Sequence, residues 1–83
     1  MVVRTIRINE SEADLIHAGK KRFVFRSDKD VYHIGDFIHF MVYKHKKPMT
    51  DRGEEKSYVV TGTYDHGTAP LEKGFQIVAF REA

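Results

Sequence analysis

The sequence predicts a mostly β domain of α+β character, a small barrel of five to six strands with one short N-terminal helix. Segments rich in β-branched and aromatic residues recur along the chain, separated by glycine, proline and acidic turn signals. Several segments are apolar on both faces, which favours a closed barrel because closure removes exposed sheet edges. A length of 83 residues suits one domain, so we expect a single domain over residues 1–83.

The first predicted strand runs from Met1 to Ile8, and the short helix follows it. Ser11 is a good N-cap residue, and Asp14, three positions later, takes the place of the acidic residue in a capping box. Gly19 is predicted to adopt the left-handed conformation that commonly ends a helix. A helix of about two turns needs packing against the strands to persist.

The second predicted strand runs from Arg22 to Arg26. Side chains alternate between the two faces of a strand, so Phe23 and Phe25 share one face. Val24 shares the other face with the two arginines. We assign the two phenylalanines to the core.

The remaining strands are predicted from apolar runs between two long loops. Residues Phe37–Lys44 form an almost continuous apolar run, which indicates burial on both faces. A loop is expected over Lys46–Glu55 and a strand over Lys56–Tyr64. A second loop is expected over Asp65–Gly74 and the last strand over Phe75–Arg81.

Composition excludes several classes of function. The chain has no cysteine, so disulfides, thiolate chemistry and cysteine metal sites are ruled out. A fold held by packing alone suits a reducing compartment, and we expect a cytoplasmic location. No stretch has the apolar run of a signal peptide or of a membrane helix, so no membrane partner is expected.

Charge distribution is more informative than the net charge of +2. One cluster contains Lys20, Lys21, Arg22 and Arg26, and a second runs from Lys44 to Lys47. A phosphate-binding cleft needs fixed cations, preferably arginine, near free backbone N–H groups, and the first cluster begins at the end of a helix. The second cluster either extends a phosphate track or forms a solvated hairpin loop.

The first cluster also has a purely structural interpretation. Cations are favoured at a helix C-terminus by the helix dipole, so the run is equally consistent with a solvated basic face. Arg26 is the strongest candidate for ligand contact because it ends a strand and shares a face with Val24. Its alternative role is a structural ion pair with Asp36 or Asp28.

Metal and cofactor chemistry find little support in the sequence. None of the five histidines shows the helical pair spacing or the His–Glu motif of a metal site, and we expect neither metal nor cofactor. Tyr32, nearest the basic cluster, is the best candidate for stacking on a base, a contact that contributes ~1–3 kcal/mol. The alternative is a tyrosine at the core edge with its hydroxyl satisfied.

Several motifs together resemble one known family. Gly19-Lys20-Lys21, then Arg26, then Gly35-Asp36 and Ile38 before a long strand, resemble the ASCH domain of the PUA-like superfamily. The run Arg26–Tyr32 and the closing strand Gly74–Phe80 are similar to a small stand-alone bacterial branch of that family. The resemblance spans most of the chain but leaves residues 44–65 unmatched.

The resemblance implies a PUA-like β-barrel with a cleft beside the helix. In this superfamily such a cleft is thought to bind RNA or nucleotides. The family label, activating signal cointegrator, comes from eukaryotic members found in transcription coactivators. On this basis we expect an RNA- or nucleotide-binding module in which Lys20, Lys21, Arg22, Arg26 and Tyr32 contact the ligand.

A second function is implied by other members of the same family. Some bacterial ASCH-like proteins resemble amidohydrolases acting on N4-acetylcytidine, with a motif lysine, a threonine three residues later and a glutamate from a later segment. Lys21 matches the lysine, but Val24 occupies the threonine position and has no hydroxyl. A catalytic lysine needs a lowered pKa, which adjacent cations would favour. The sequence therefore leans away from an enzyme.

Strand periodicity bears on both functions. If the strand is regular from Lys21 onward, the Lys21 side chain lies on the same face as Phe23 and on the opposite face from Arg26. The two cations serve one cleft only if the chain is irregular near Arg22. A protein-interaction domain with a merely solubilising basic face is the third hypothesis.

Overall fold

The computed structural model describes residues 2–45, 47–48 and 56–83. The elements in chain order are β1 (Val3–Asn9), α1 (Glu10–His17), β2 (Phe23–Ser27), β3 (Phe37–Lys44), β4 (Lys47–Pro48), β5 (Tyr58–Asp65) and β6 (Phe75–Glu82). The predicted mostly β architecture with one short helix is confirmed. The predicted strand start at Met1 and most of the predicted loop Lys46–Glu55 lie outside the described residues.

The strands form one sheet in the order β1-β3-β5-β6-β2, with the short β4 paired to β3 as a hairpin. β1 and β3 are parallel, from Val3 opposite Phe37 to Asn9 opposite Tyr43. The β3–β5, β5–β6 and β2–β6 pairs are antiparallel. Helix α1 packs against β1 and β3. This order leaves β1 and β2 at the two ends of the sheet.

One face of the sheet and the buried side of α1 enclose the core. The members are aliphatic and aromatic side chains at alternating strand positions, joined by two helical residues: Ile6, Ile8, Ala13, Ile16, Val24, Ile38, Phe40, Val42, Tyr58, Val60, Val78 and Phe80. The rings of Phe40, Tyr58 and Phe80 contact one another, with centroids 5.1 to 5.3 Å apart. These three rings fill the centre of the sheet's inner side.

The predicted closure into a barrel is wrong. No Cα atom of β1 lies within 8 Å of a Cα atom of β2, whereas paired strands lie about 4.8 Å apart. The inward positions at the facing ends of these strands are Arg4 and Arg26, and pairing there would press two guanidinium groups together. The sheet therefore curls without closing.

The assignment of Phe23 and Phe25 to the core is also wrong, although their shared face is correct. Val24 is 1% exposed, whereas Phe23 is 39% and Phe25 55% exposed. Val24 lies opposite the fully buried Val78 of β6. Because three aromatic rings already fill the interior, the remaining space on β2 suits a valine rather than a phenylalanine.

Burial of both faces of β3 is likewise corrected. Ile38, Phe40 and Val42 are buried, but His39 and Met41 on the opposite face are exposed. A single sheet covered on one side by one helix has no second layer for its outer face. The apolar run therefore reflects partly exposed outward residues rather than burial on both faces.

The ends of α1 show why the chain becomes helical there. Asn9, not the predicted Ser11, is the N-cap, and its side chain accepts a hydrogen bond from the Glu12 N–H at 2.8 Å. At the other end Gly19 has φ +73°, as predicted. The Gly19 N–H donates to the Ile16 carbonyl and the Lys20 N–H to the Leu15 carbonyl, at 3.1 and 2.9 Å. This is the Schellman pattern of a glycine-terminated helix.

Candidate functional site

A cleft of about 530 Å³ lies at the open side of the sheet, between the two end strands. Its walls come from the start of β1, the end of β2 and the segment that follows β2. The lining residues are Val3, Arg4, Thr5, Arg26, Lys29, Asp30, Val31 and Tyr32. The volume is within the range of pockets that hold small ligands.

Strand periodicity explains why two arginines meet here. Arg4 has the same inward phase as the buried Ile6, and Arg26 has the same inward phase as the buried Val24. The other inward-facing side chains of both strands are apolar, and the inward position beside the cleft is an arginine in each strand. The inner face of the sheet thus changes from hydrophobic to cationic at one end.

Arg26 is held by the turn that follows β2. Its Nη2 lies 3.6 Å from Oδ2 of Asp30, so the predicted ion pair with Asp36 or Asp28 is replaced by one with Asp30. Gln76 is buried across the register from Arg26. Its Nε2 donates to the carbonyls of Ser27 and Asp30, at 2.8 and 2.6 Å. These bonds fix the turn and therefore the carboxylate beside Arg26.

Arg4 is held from the other side of the cleft. Its Nε lies 3.8 Å from Oδ2 of Asp36, an ion-pair distance too long for a hydrogen bond. Its guanidinium carbon lies 5.8 Å from the ring centroid of Tyr32, close enough for a cation–π contact. Tyr32 in turn packs against the core. The aromatic ring is therefore part of the wall that carries Arg4.

Both guanidinium groups have one donor without a partner. Among the described residues, the Nε atoms of Arg4 and Arg26 are buried and make no hydrogen bond. An unsatisfied buried donor costs ~1–3 kcal/mol, so such atoms are uncommon in folded proteins. Both atoms are closed to solvent, so only the partly exposed rest of each arginine side chain is accessible from the cleft.

Asp36 anchors the Arg4 side of the site. Its carboxylate accepts hydrogen bonds from the backbone N–H groups of His33 and Val2, at 3.0 and 3.3 Å. The hydrogen bond from the His33 N–H is the main cause that lowers the pKa of Asp36. Burial of the carboxylate raises this pKa, but the Val2 N–H and the nearby charges of His33 and Arg4 lower it further. Asp36 therefore stays ionised beside Arg4. Gly35, with φ +96°, forms the predicted tight turn before it.

The structure separates the predicted site residues into two groups. Arg26 and Tyr32 line the cleft, whereas Lys20, Lys21 and Arg22 do not. Lys21 instead pairs with Glu12 at 3.3 Å. Its Nζ also lies 5.4 Å from the Phe23 ring centroid, on the outward side that strand periodicity predicts.

The second basic cluster lies at the β3–β4 hairpin, where Lys44 pairs with Glu10 at 3.8 Å. Lys46 of this cluster is outside the described residues. Over the described ranges, no group of three or more histidine, aspartate or glutamate side chains is arranged to hold a metal ion. No helix in that same part of the chain is long and apolar enough to cross a membrane.

Arg4 and Lys29 are cleft residues that the sequence analysis did not select. The signal for Arg4 was present, because it lies two positions before Ile6 and four before Ile8. Period-two alternation places all three on the same face. Lys29 sits in a polar turn, and its place in the cleft depends on how that turn folds back towards β1.

Comparison with known proteins adds no assignment. No family model matches the chain, and a search of curated proteins finds no match.

Proposed function

We propose that the cleft between β1 and β2 binds RNA or a nucleotide, as the resemblance to the ASCH domain implies. The observation that carries the proposal is the pair of partly exposed arginines, Arg4 and Arg26, whose side chains are 36% and 32% exposed on facing walls of the cleft. Guanidinium groups bind phosphate oxygens in a planar, charge-assisted geometry that suits such a pair.

The rest of the lining supports a nucleotide rather than a bare anion. Lys29 adds a third cation, and Tyr32 offers an aromatic ring in the same wall. Aromatic stacking and backbone cations are the two components of most single-strand binding sites. The cleft's volume suits one nucleotide or one unpaired base of a strand, not a duplex.

The test is an amide-detected NMR titration with AMP and with a single-stranded RNA hexamer. We expect shifts at Arg4 and over residues 26–32. Arg4→Gln and Arg26→Gln should each weaken binding by about 10-fold to 100-fold, because a hydrogen bond to a charged group contributes about 1.5–3 kcal/mol. Each substitution keeps a planar polar group on a shorter side chain and removes the charge.

Arg22→Gln is the matched control, because Arg22 is exposed and lies outside the cleft lining. Its affinity for both ligands should stay within about 2-fold of the parent, given the small contribution of exposed charges. Shifts confined to Lys20–Arg22, or no shift with either ligand, would refute the proposal.

Hydrolysis of N4-acetylcytidine is the alternative with less support. Lys21 faces away from the cleft, and Val24 is 1% exposed in the core without a hydroxyl. We expect no turnover of this nucleoside by the protein. Turnover that Lys21→Ala abolishes would replace the binding proposal with the enzymatic one.

A further inference from the structure

The end strand β2 has an unpaired edge with a defined pattern of backbone groups. The Phe80 N–H donates to the Arg22 carbonyl at 3.0 Å, which sets the alternation of the antiparallel β2–β6 pair. Val24 and Arg26 then face β6 with their backbone groups. Those of Phe23 and Phe25 point to the opposite side, where no described strand pairs with β2.

The outer face beside this edge is aromatic. Phe23 and Phe25 contact edge to face at 5.7 Å between centroids. Phe75 of β6 lies opposite Ser27 of β2, and Tyr64 of β5 lies opposite Ile77 of β6. All of these side chains are on the outer face of the sheet. The two outer rings, Phe75 and Tyr64, are 48% and 46% exposed. Four half-exposed aromatic rings amount to roughly 300–500 Å² of surface, an extent usually found at interaction sites.

The usual protection of an edge strand is missing from β2. Natural edges carry outward lysines, prolines or bulges that prevent pairing with another chain. The strand reads Phe-Val-Phe-Arg-Ser, and its one charged residue, Arg26, faces the cleft and pairs with Asp30. The edge is therefore open to a further strand.

The charges at the two ends of β2 indicate which partner strand would pair with its free edge. Lys20 and Arg22 precede the strand and Asp28 follows it, whereas Lys21 and Asp30 pair within the chain, with Glu12 and Arg26. An identical strand laid antiparallel would bring the cations of each copy beside the acids of the other. We propose that a second copy of this chain pairs antiparallel along the free edge of β2, forming a two-fold dimer.

The size of the surface sets the strength of the dimer. A stable interface buries about 800 Å² per partner, and the aromatic patch supplies roughly half of that. Backbone pairing through Phe23 and Phe25 adds a few hydrogen bonds. The dimer is therefore weak and forms at micromolar to millimolar protein concentration.

The first test combines sedimentation velocity with hydrogen exchange between 10 µM and 1 mM protein. We expect a concentration-dependent monomer–dimer equilibrium and slower exchange of the Phe23 and Phe25 amides as the dimer forms. Phe25→Lys should remain monomeric throughout, with an unchanged circular dichroism spectrum. Ile34→Lys, at a 76% exposed apolar residue away from the patch, is the matched control and should dimerise like the parent.

The second test addresses the antiparallel arrangement. Lys20→Glu and Asp28→Lys should each weaken the homodimer, because each places like charges together. An equimolar mixture of the two variants should recover association, since both contacts in the heterodimer are then complementary. This recovery does not depend on any single variant folding as well as the parent.

Several outcomes would overturn the dimer proposal. They are a monomer at 1 mM, a dimer that survives Phe25→Lys, or a dimer without protection of the Phe23 and Phe25 amides. Failure of the mixed pair to recover association would also overturn it. These outcomes are measured as association and amide exchange at Phe23 and Phe25, whereas failure of nucleotide binding is measured as missing shifts at Arg4 and residues 26–32, so the two failures are distinguishable.

Discussion

At the scale of single residues, Arg4 and Arg26 are each positioned by a nearby carboxylate. Asp36 and Asp30 approach at 3.8 and 3.6 Å, near enough to hold the charge but without a hydrogen bond to Nε. We expect a phosphate oxygen in the cleft to accept instead from the partly exposed ends of these side chains, in a charge-assisted hydrogen bond.

Asp36 yields a prediction about pH and stability. Its pKa is lowered in the folded protein by the His33 N–H, then by the Val2 N–H and nearby positive charge. A depressed pKa means that the carboxylate stabilises the fold above about pH 4, its unfolded pKa, and that this stabilisation is lost as pH falls through the lower folded pKa. Asp36→Asn should therefore be less stable than the parent at pH 7, and the difference should shrink at acid pH.

Urea unfolding at pH 7 and at pH 3 to 2 measures this difference. His33→Gln is the control, because the bond from residue 33 to Asp36 comes from the backbone N–H and survives the change. Its stability should stay close to the parent's, since the His33 side chain is 70% exposed. A stability gap for Asp36→Asn that grows towards acid pH would contradict the assignment.

At the scale of elements, the start of α1 provides a paired comparison. Asn9 caps the helix through its side-chain oxygen, whereas Ser11 lies exposed within the first turn. Asn9→Ala should cost about 1 kcal/mol and lower the Tm by about 4–8 °C. Ser11→Ala should change stability by less than about 0.5 kcal/mol. Thermal unfolding followed by circular dichroism measures both, and equal losses would argue against the Asn9 cap.

Local signals in the sequence predicted those parts of the elements that depend on local backbone chemistry. Gly19 ends the helix as expected because its left-handed conformation is a property of glycine. The alternation along β2 was also correct. Which of its faces is buried was not predictable, because that depends on Phe40, Tyr58 and Phe80 filling the interior from other strands. A residue's neighbours in space decide this, and they are distant in sequence.

The same distinction applies to the candidate site. Arg26 and Tyr32 were selected from a basic cluster and lie in the cleft, whereas the lysines of that cluster belong to the helix end. The inward position of Arg4 could have been predicted from its alternation with Ile6 and Ile8 along the strand. Lys29 could not, because its position depends on Gln76 holding the turn from across the sheet.

At the scale of the whole molecule, charge predicts the salt dependence of binding. Three cations line the cleft, Arg4, Arg26 and Lys29, against a net charge of only +2. For a single-stranded RNA, three phosphate contacts give a slope of about −2 in log affinity against log salt. Arg26→Gln should reduce the magnitude of that slope by about 0.7, the share of one contact. Fluorescence anisotropy with a labelled hexamer over 50–200 mM salt measures it, and a slope near zero would contradict phosphate contact.

The order of strands determines when the cleft forms during folding. β2 is held by β6, and Gln76 reaches back to Ser27 across 49 positions of the chain. Contacts so distant in sequence slow folding, because a long loop must close before they contribute. During synthesis, β6 leaves the ribosome after the other described strands. The wall that carries Arg26 therefore acquires its support only once β6 has been synthesised, and a ribosome-bound chain lacking β6 should not bind the nucleotide that we propose.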